Sequence, residues 1–129
     1  MDERVIHQEG MPCFYASMVL YFSIGTPLAE VMRFFSKNSN IHYCVYDNCL
    51  EITICEVKDI YVWEAGEVLT KLFAKCDLDS IKKAIELHKG SAYIDISFTH
   101  EERFPVLIFE GEVMQIIRDL RASVGIDPY

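Results

Sequence analysis

Cysteine and histidine are the residues of this sequence that could hold a metal, and one stretch brings several together. His42, Cys44, Cys49 and Cys55 lie within fourteen residues. Structural zinc needs thiolates paired at spacings such as Cys-x-x-Cys, so that two ligands reach one ion from a tight turn. Here four and five residues separate successive cysteines, although Cys44 and Cys49 could still face each other across a hairpin. We predict no metal site and interpret these thiols as small apolar side chains in strands.

Catalytic motifs are the second kind of chemistry to consider. Residues 100–104, His-Glu-Glu-Arg-Phe, begin like the zinc-protease motif but lack its second histidine. The sequence has no Gly-x-Ser-x-Gly, and its six glycines are scattered singly, so no glycine-rich phosphate loop is present. Carboxylate pairs such as Glu110 and Glu112 are typical of a solubilising surface. We therefore predict that the protein is not an enzyme and uses no cofactor.

Tyrosines and carboxylates on the polar sides of predicted strands are the candidate functional residues. Tyr15 and Tyr21 fall on the polar side of one strand, Tyr93 and Asp95 on that of another, and Glu51 on that of a hairpin strand. If these strands share a sheet, their side chains meet on one face. Tyrosine offers a large contact area with a polar tip and is enriched at interface hot spots. The pattern predicts a protein-binding surface; the alternative is that a second layer covers this face.

The distribution of charge extends this candidate surface. The first 64 residues carry 4 basic and 9 acidic residues, a net of −5, whereas the remaining 65 carry 8 and 11, a net of −3. Acidic groups around a tyrosine patch would steer a basic partner towards it. We therefore predict that many of the partner-binding residues lie in the first 64 residues, the more acidic half of the chain. The predicted residues are Tyr15, Tyr21, Asp47, Glu51, Glu56, Asp59, Tyr93 and Asp95.

Hydrophobic periodicity predicts the elements that position these side chains. Apolar residues alternate over 13–24, 41–46, 50–55 and 91–99, which predicts strands, and the two middle ones form a hairpin. Helical spacing follows Thr26-Pro27 and recurs in two successive helices before Gly90 and in a helix near 113–120. The region 58–66 fits neither pattern clearly, 106–109 is a short apolar run, and 123–129 is expected to be a final strand.

This order predicts a single α+β domain over 1–129. Strands and helices with one apolar face each favour an antiparallel or mixed sheet with helices mainly on one face, and a ferredoxin-like arrangement is the natural candidate. Residues 1–12 are a candidate mobile N-terminus.

Composition excludes several classes of protein. A net charge of −8 argues against nucleic-acid binding, which needs clustered basic residues. The longest uncharged run, 10–29, is interrupted by proline, glycine and serine, so we expect no membrane span. The N-terminus begins with acidic residues, unlike a secretory signal. Five cysteines, an odd number, in a chain of this size indicate a reducing cytoplasm with mostly free thiols.

The C-terminal third carries a resemblance to a known family. The strand at 91–98, Phe-Pro-Val-Leu at 104–107, the helix at 110–121 and the ending Ala-Ser-Val-Gly-Ile-Asp-Pro-Tyr are similar to the bacterial family called domain of unknown function 4279. The opening strand, followed by Pro27 and a helix, is also similar. The middle of the chain, 38–63, lacks the glycine-aspartate turn associated with that family. The resemblance implies an α+β domain and no defined activity.

Three functions are compatible with these observations. The first is a cytoplasmic immunity protein that neutralises a toxin domain, because a small acidic protein without a catalytic motif can occupy the basic cleft of a nuclease. The second is a dimeric regulatory or small-ligand-binding module, with the tyrosines at a dimer interface. The third is an enzyme that uses a cysteine or a carboxylate pair. We predict the first, with monomer or homodimer left open.

Overall fold

The computed structural model describes residues 10–35, 41–46, 48–100 and 104–128. Within these ranges the chain forms five strands and four helices. In chain order they are β1 (Cys13–Ser23), α1 (Leu28–Met32) with a following 3-10 turn (Arg33–Phe35), β2 (His42–Tyr46), β3 (Cys49–Tyr61), α2 (Ala65–Ala74), α3 (Leu78–His88), β4 (Ser91–Thr99), α4 (Gly111–Asp119) and β5 (Ser123–Pro128).

The strands form one mixed sheet in the order β2-β3-β1-β4-β5. All neighbouring pairs are antiparallel except β4 and β5, which are parallel. From β1 to β4, with α2 and α3 as a helical pair, the elements follow the β-α-β-β-α-β order of ferredoxin-like domains. The predicted α+β class is therefore confirmed, and β5 extends the sheet beyond β4.

One face of the sheet and the helices enclose the core. The side chains of Phe14, Met18 and Leu20 on β1 are at most 1% exposed, as alternation in a half-buried strand requires. They pack with α2 and α3, for example with Leu69 and Ile81, which are fully buried. Each such burial stabilises the fold by roughly 1.5–3 kcal/mol. The helices therefore lie on the face that carries the even-numbered residues of β1.

The region 58–66, which the sequence pattern leaves unassigned, contains the end of β3 and the start of α2. β3 continues to Tyr61 and pairs with the start of β1. Two register shifts interrupt this pairing, and Asp59 near one of them has a φ of 55°, a left-handed conformation that aspartate tolerates better than most residues. An extra residue breaks the period-two pattern, which is why periodicity fails to reveal this half of β3.

A disulfide joins the sheet to the helical layer. Cys55 of β3 is bonded to Cys76, just beyond α2, with Cα atoms 6.3 Å apart. Cys13, Cys44 and Cys49 are free. Three of the five thiols are thus free, and the one bond was not predicted, because both of its cysteines are brought to the helical side of the sheet only by the fold.

The apolar run at 106–109 is not a full strand. Val106 forms one bridge beside Glu64, in which the Ala65 amide donates to the Val106 carbonyl at 2.9 Å and the Val106 amide donates to the Trp63 carbonyl at 2.8 Å. This segment thus contacts the first turn of α2, where a Cβ on Gly66 would lie 2.8 Å from the Ile108 carbonyl oxygen.

Candidate protein-binding face

The odd-numbered residues of β1 point away from the helices, and we call this side of the sheet the open face. Strand register places Ser17 between Glu56 of β3 and Asp95 of β4, and Tyr21 beside Glu51. Ser17 is buried and the other four are partly exposed, and all five lie on β1 or on the strands that flank it. The open face carries Tyr15, Tyr21, Glu51, Glu56, Tyr93 and Asp95.

A hydrogen bond connects the first tyrosine of the open face to a carboxylate. The Tyr15 hydroxyl donates to Oε2 of Glu56 at 2.7 Å, and the Lys58 ammonium lies 3.3 Å from Oε1 of the same carboxylate. Burial, reinforced by this hydrogen bond, raises the pKa of Tyr15 to about 12. The same bond lowers the pKa of Glu56, with help from Lys58. Two anchoring contacts therefore hold Glu56 ionised and orient the Tyr15 ring.

Tyr21 of β1 and Tyr93 of β4 pack against each other on the open face. Their rings meet edge to face, with centroids 6.4 Å apart and an interplanar angle of 68°. The phenol of Tyr93 extends over β5, where it occupies the space that a Cβ of Gly125 would need. Burial and the charge of Glu51 raise the pKa of Tyr21. The two rings are thus positioned by their mutual contact, and the absence of a side chain at Gly125 leaves room for Tyr93.

The fold places the carboxylate of Asp95 where its charged form is disfavoured. Burial raises its pKa, and the nearby charge of Asp127 on β5 raises it further. Its neighbours across the sheet are Ser17 and Gly125, which bring no counter-charge. An ionised carboxylate in this position lacks the compensation that Glu56 receives from Tyr15 and Lys58. A cationic group brought by another molecule would supply it.

The structure brings six of the eight predicted partner-binding residues to the open face. Asp59 is exposed in the left-handed position of β3, where its charge acts on Tyr61 rather than on the tyrosine pair. Asp47 lies outside the described residues. Sequence reasoning missed Asp127 and Gly125, because the final strand had no assigned neighbour. Its alternation of Ser123, Gly125 and Asp127 was the available signal.

A metal site and a cavity are the other candidate sites to consider. Within 10–35, 41–46, 48–100 and 104–128, no group of three or more His, Cys, Asp or Glu residues could hold a metal ion. A cavity of about 560 Å³ lies where α3 and α4 end, lined in part by Lys82, Glu86, Arg118 and Arg121. Among the described residues, no histidine, cysteine or tyrosine lines it.

Comparison with protein-family models, curated proteins and solved structures found no match for the chain. The resemblance to domain of unknown function 4279 stays a prediction. No helix among the described residues combines the length and apolar character needed to cross a membrane.

Proposed function

We propose that this protein binds a basic partner protein through the open face, and that it acts as a cytoplasmic immunity protein that neutralises a bacterial toxin domain. The observation that carries this proposal is the placement of Tyr15, Tyr21 and Tyr93 among carboxylates on the side of the sheet opposite the helices. Tyrosines there supply contact area, and the carboxylates supply charge that attracts a cationic surface.

The tyrosines are suited to binding because contacts already fix their positions. The hydrogen bond to Glu56 orients Tyr15, while the edge-to-face contact and Gly125 orient Tyr93. Ordering a side chain at an interface costs about 0.5–1.5 kcal/mol, and side chains that are ordered beforehand avoid most of that cost. The open face therefore resembles a preorganised recognition surface more closely than a solvated sheet surface.

The uncompensated charge of Asp95 favours a different protein, rather than a second copy of this chain, as the binding partner of the open face. A symmetric dimer through the open face would bring together two acidic surfaces, each of which carries Glu51, Glu56 and Asp95. Like charges facing each other across an interface cost several kcal/mol. A partner with lysine or arginine at the contact would instead compensate Asp95. The dimeric regulatory module thus ranks second, and an enzyme third.

The proposal is tested by first searching the neighbouring genes for a basic toxin domain and then purifying that domain. We expect the protein to inhibit that domain, with an association rate that falls at least tenfold between 50 and 500 mM NaCl. Asp95→Lys should weaken binding at least a hundredfold. Glu86→Lys, which makes the same charge change at an exposed position of α3 that is not on the open face, is the matched control and should bind like the wild type. Equal binding by the two variants would contradict the proposal.

A further inference from the structure

β2 forms one edge of the sheet, and its side chains are exposed to solvent. In the part of the chain that the structure describes, β2 pairs with β3 on one side, and no strand pairs with its other side. All five of its residues are exposed, including Tyr43 at 57% and Val45 at 58%. The strand therefore presents both its side chains and its outer backbone groups.

The two edges of the sheet differ in how they resist pairing with another chain. β5 carries Asp127 and Pro128, and a charge or a proline on an edge strand hinders the addition of a further strand. From His42 to Tyr46, β2 has no aspartate, glutamate, lysine, arginine or proline, and His42 is its one ionisable basic residue. An edge strand of apolar and aromatic residues without these features is a template for strand addition.

Register fixes what an added strand would meet on each side. Tyr43 lies opposite Ile52 and Val45 opposite Leu50, so both point to the helical side, but beyond the helices that cover the core. Cys44 lies opposite Glu51 and so belongs to the open face. A strand beside β2 would place alternate side chains next to Tyr43 and Val45. Its other side chains would lie two strand spacings, about 10 Å, from Glu51.

We propose that β2 accepts a β-strand of the partner protein in which apolar side chains alternate with lysine or arginine. This inference rests on the proposed function and names the part of the partner that is recognised. The apolar side chains would cover Tyr43 and Val45, and the basic ones would extend over the open face towards Glu51. Charge selects this occupant over a second copy, since a second β2 would bring another acidic open face and no lysine or arginine of its own.

The test uses a ten-residue peptide of alternating lysine and valine, acetylated and amidated, added to the ¹⁵N-labelled protein. We expect chemical-shift changes at the amides of 42–46 and slower hydrogen exchange of those that face outwards. The matching peptide of glutamate and valine should cause neither effect. Changes confined to the amides around Tyr15, Tyr93 and Asp95 would overturn this inference while leaving the proposed function in place. No change in either region would count against both.

A pair of variants separates the edge from general charge effects. Val45→Lys adds a charge to an exposed position of β2, so the fold should tolerate it, and it should weaken binding of the lysine-valine peptide at least tenfold. Leu87→Lys adds the same charge at a position of α3 that is 67% exposed and should leave binding unchanged. Equal affinities for the two variants would overturn the inference. So would a doubled mass in solution with the outward amides of β2 already protected, because a second copy would then occupy the edge.

Discussion

Tyr93 and Gly125 fit together across two parallel strands: the phenol of Tyr93 fills the space where any larger residue at 125 would place its Cβ. The glycine thus allows the ring to lie over β5 while its edge meets Tyr21. A residue without a side chain helps to shape the open face.

Gly125→Ala should displace the Tyr93 ring. The added methyl group would overlap with the phenol, and overpacking of this kind costs about 1–3 kcal/mol of unfolding free energy. Urea denaturation measures this loss. Gly25→Ala is the control, because no atom lies within 4 Å of a Cβ built there. If Tyr93 is the cause, Gly125→Ala should cost much less in a Tyr93→Ala background; an undiminished cost would refute the contact.

Tyr15→Phe should remove the hydrogen bond to Glu56 and lower the free energy of unfolding at pH 7 by about 1 kcal/mol. Because folding lowers the pKa of Glu56, the stability from its ionised form is present above its ordinary pKa of 4.5 and is lost as the pH falls through the folded value. The difference between wild type and variant should therefore shrink in acid. A difference that stays constant from pH 7 to pH 3 would be inconsistent with this bond.

The phenol of Tyr15 offers an independent readout. Since its pKa is raised from 10.0 to about 12, the stability it contributes is complete below pH 10 and is lost as the pH rises towards 12. The pKa of Tyr21 is raised as well, so ultraviolet titration of the wild type should show more than one late-titrating tyrosine, and Tyr15→Phe should remove one of them. Loss of an early-titrating tyrosine instead would show that Tyr15 is freely solvated.

Asp95→Asn should stabilise the protein at neutral pH. Folding raises the pKa of Asp95, so its contribution to stability is present below its ordinary pKa of 3.8 and is lost as the pH rises through the folded value. The variant should melt at a higher temperature than wild type at pH 7 and at a similar one near pH 3. Glu86→Gln, an exposed carboxylate on α3, serves as control. A lower melting temperature at pH 7 would mean that Asp95 has a stabilising partner.

Reduction of the disulfide should destabilise the fold without abolishing it. Cys55 and Cys76 are separated by 21 residues, and closing a loop of that size contributes about 3 kcal/mol. Cys76→Ser should show this loss under oxidising conditions and become insensitive to dithiothreitol. Cys44→Ser, at a free and exposed cysteine, should behave like wild type. Equal stability of oxidised and reduced wild type would argue that the bond does not form.

Period-two alternation was sufficient to predict β1 and β4 and the sides on which Tyr15, Tyr21, Tyr93 and Asp95 lie. Those strands are half buried, so their pattern records the fold directly. Contacts between segments that are distant in the sequence cannot be predicted from the alternation of residues within one strand. The pairing of Cys55 with Cys76 and the placement of Asp127 beside β4 depend on register and crossover, which local spacing does not encode.

The two register shifts between β1 and β3 have a consequence for the shape of anything that binds the sheet. Each irregularity of this kind increases the right-handed coiling of the strands. We therefore expect the surface that bears the tyrosines to be saddle-shaped rather than flat. A broad, flat molecule would touch a saddle only along a diagonal, whereas a slender or convex one could follow its curvature along the whole length of the sheet.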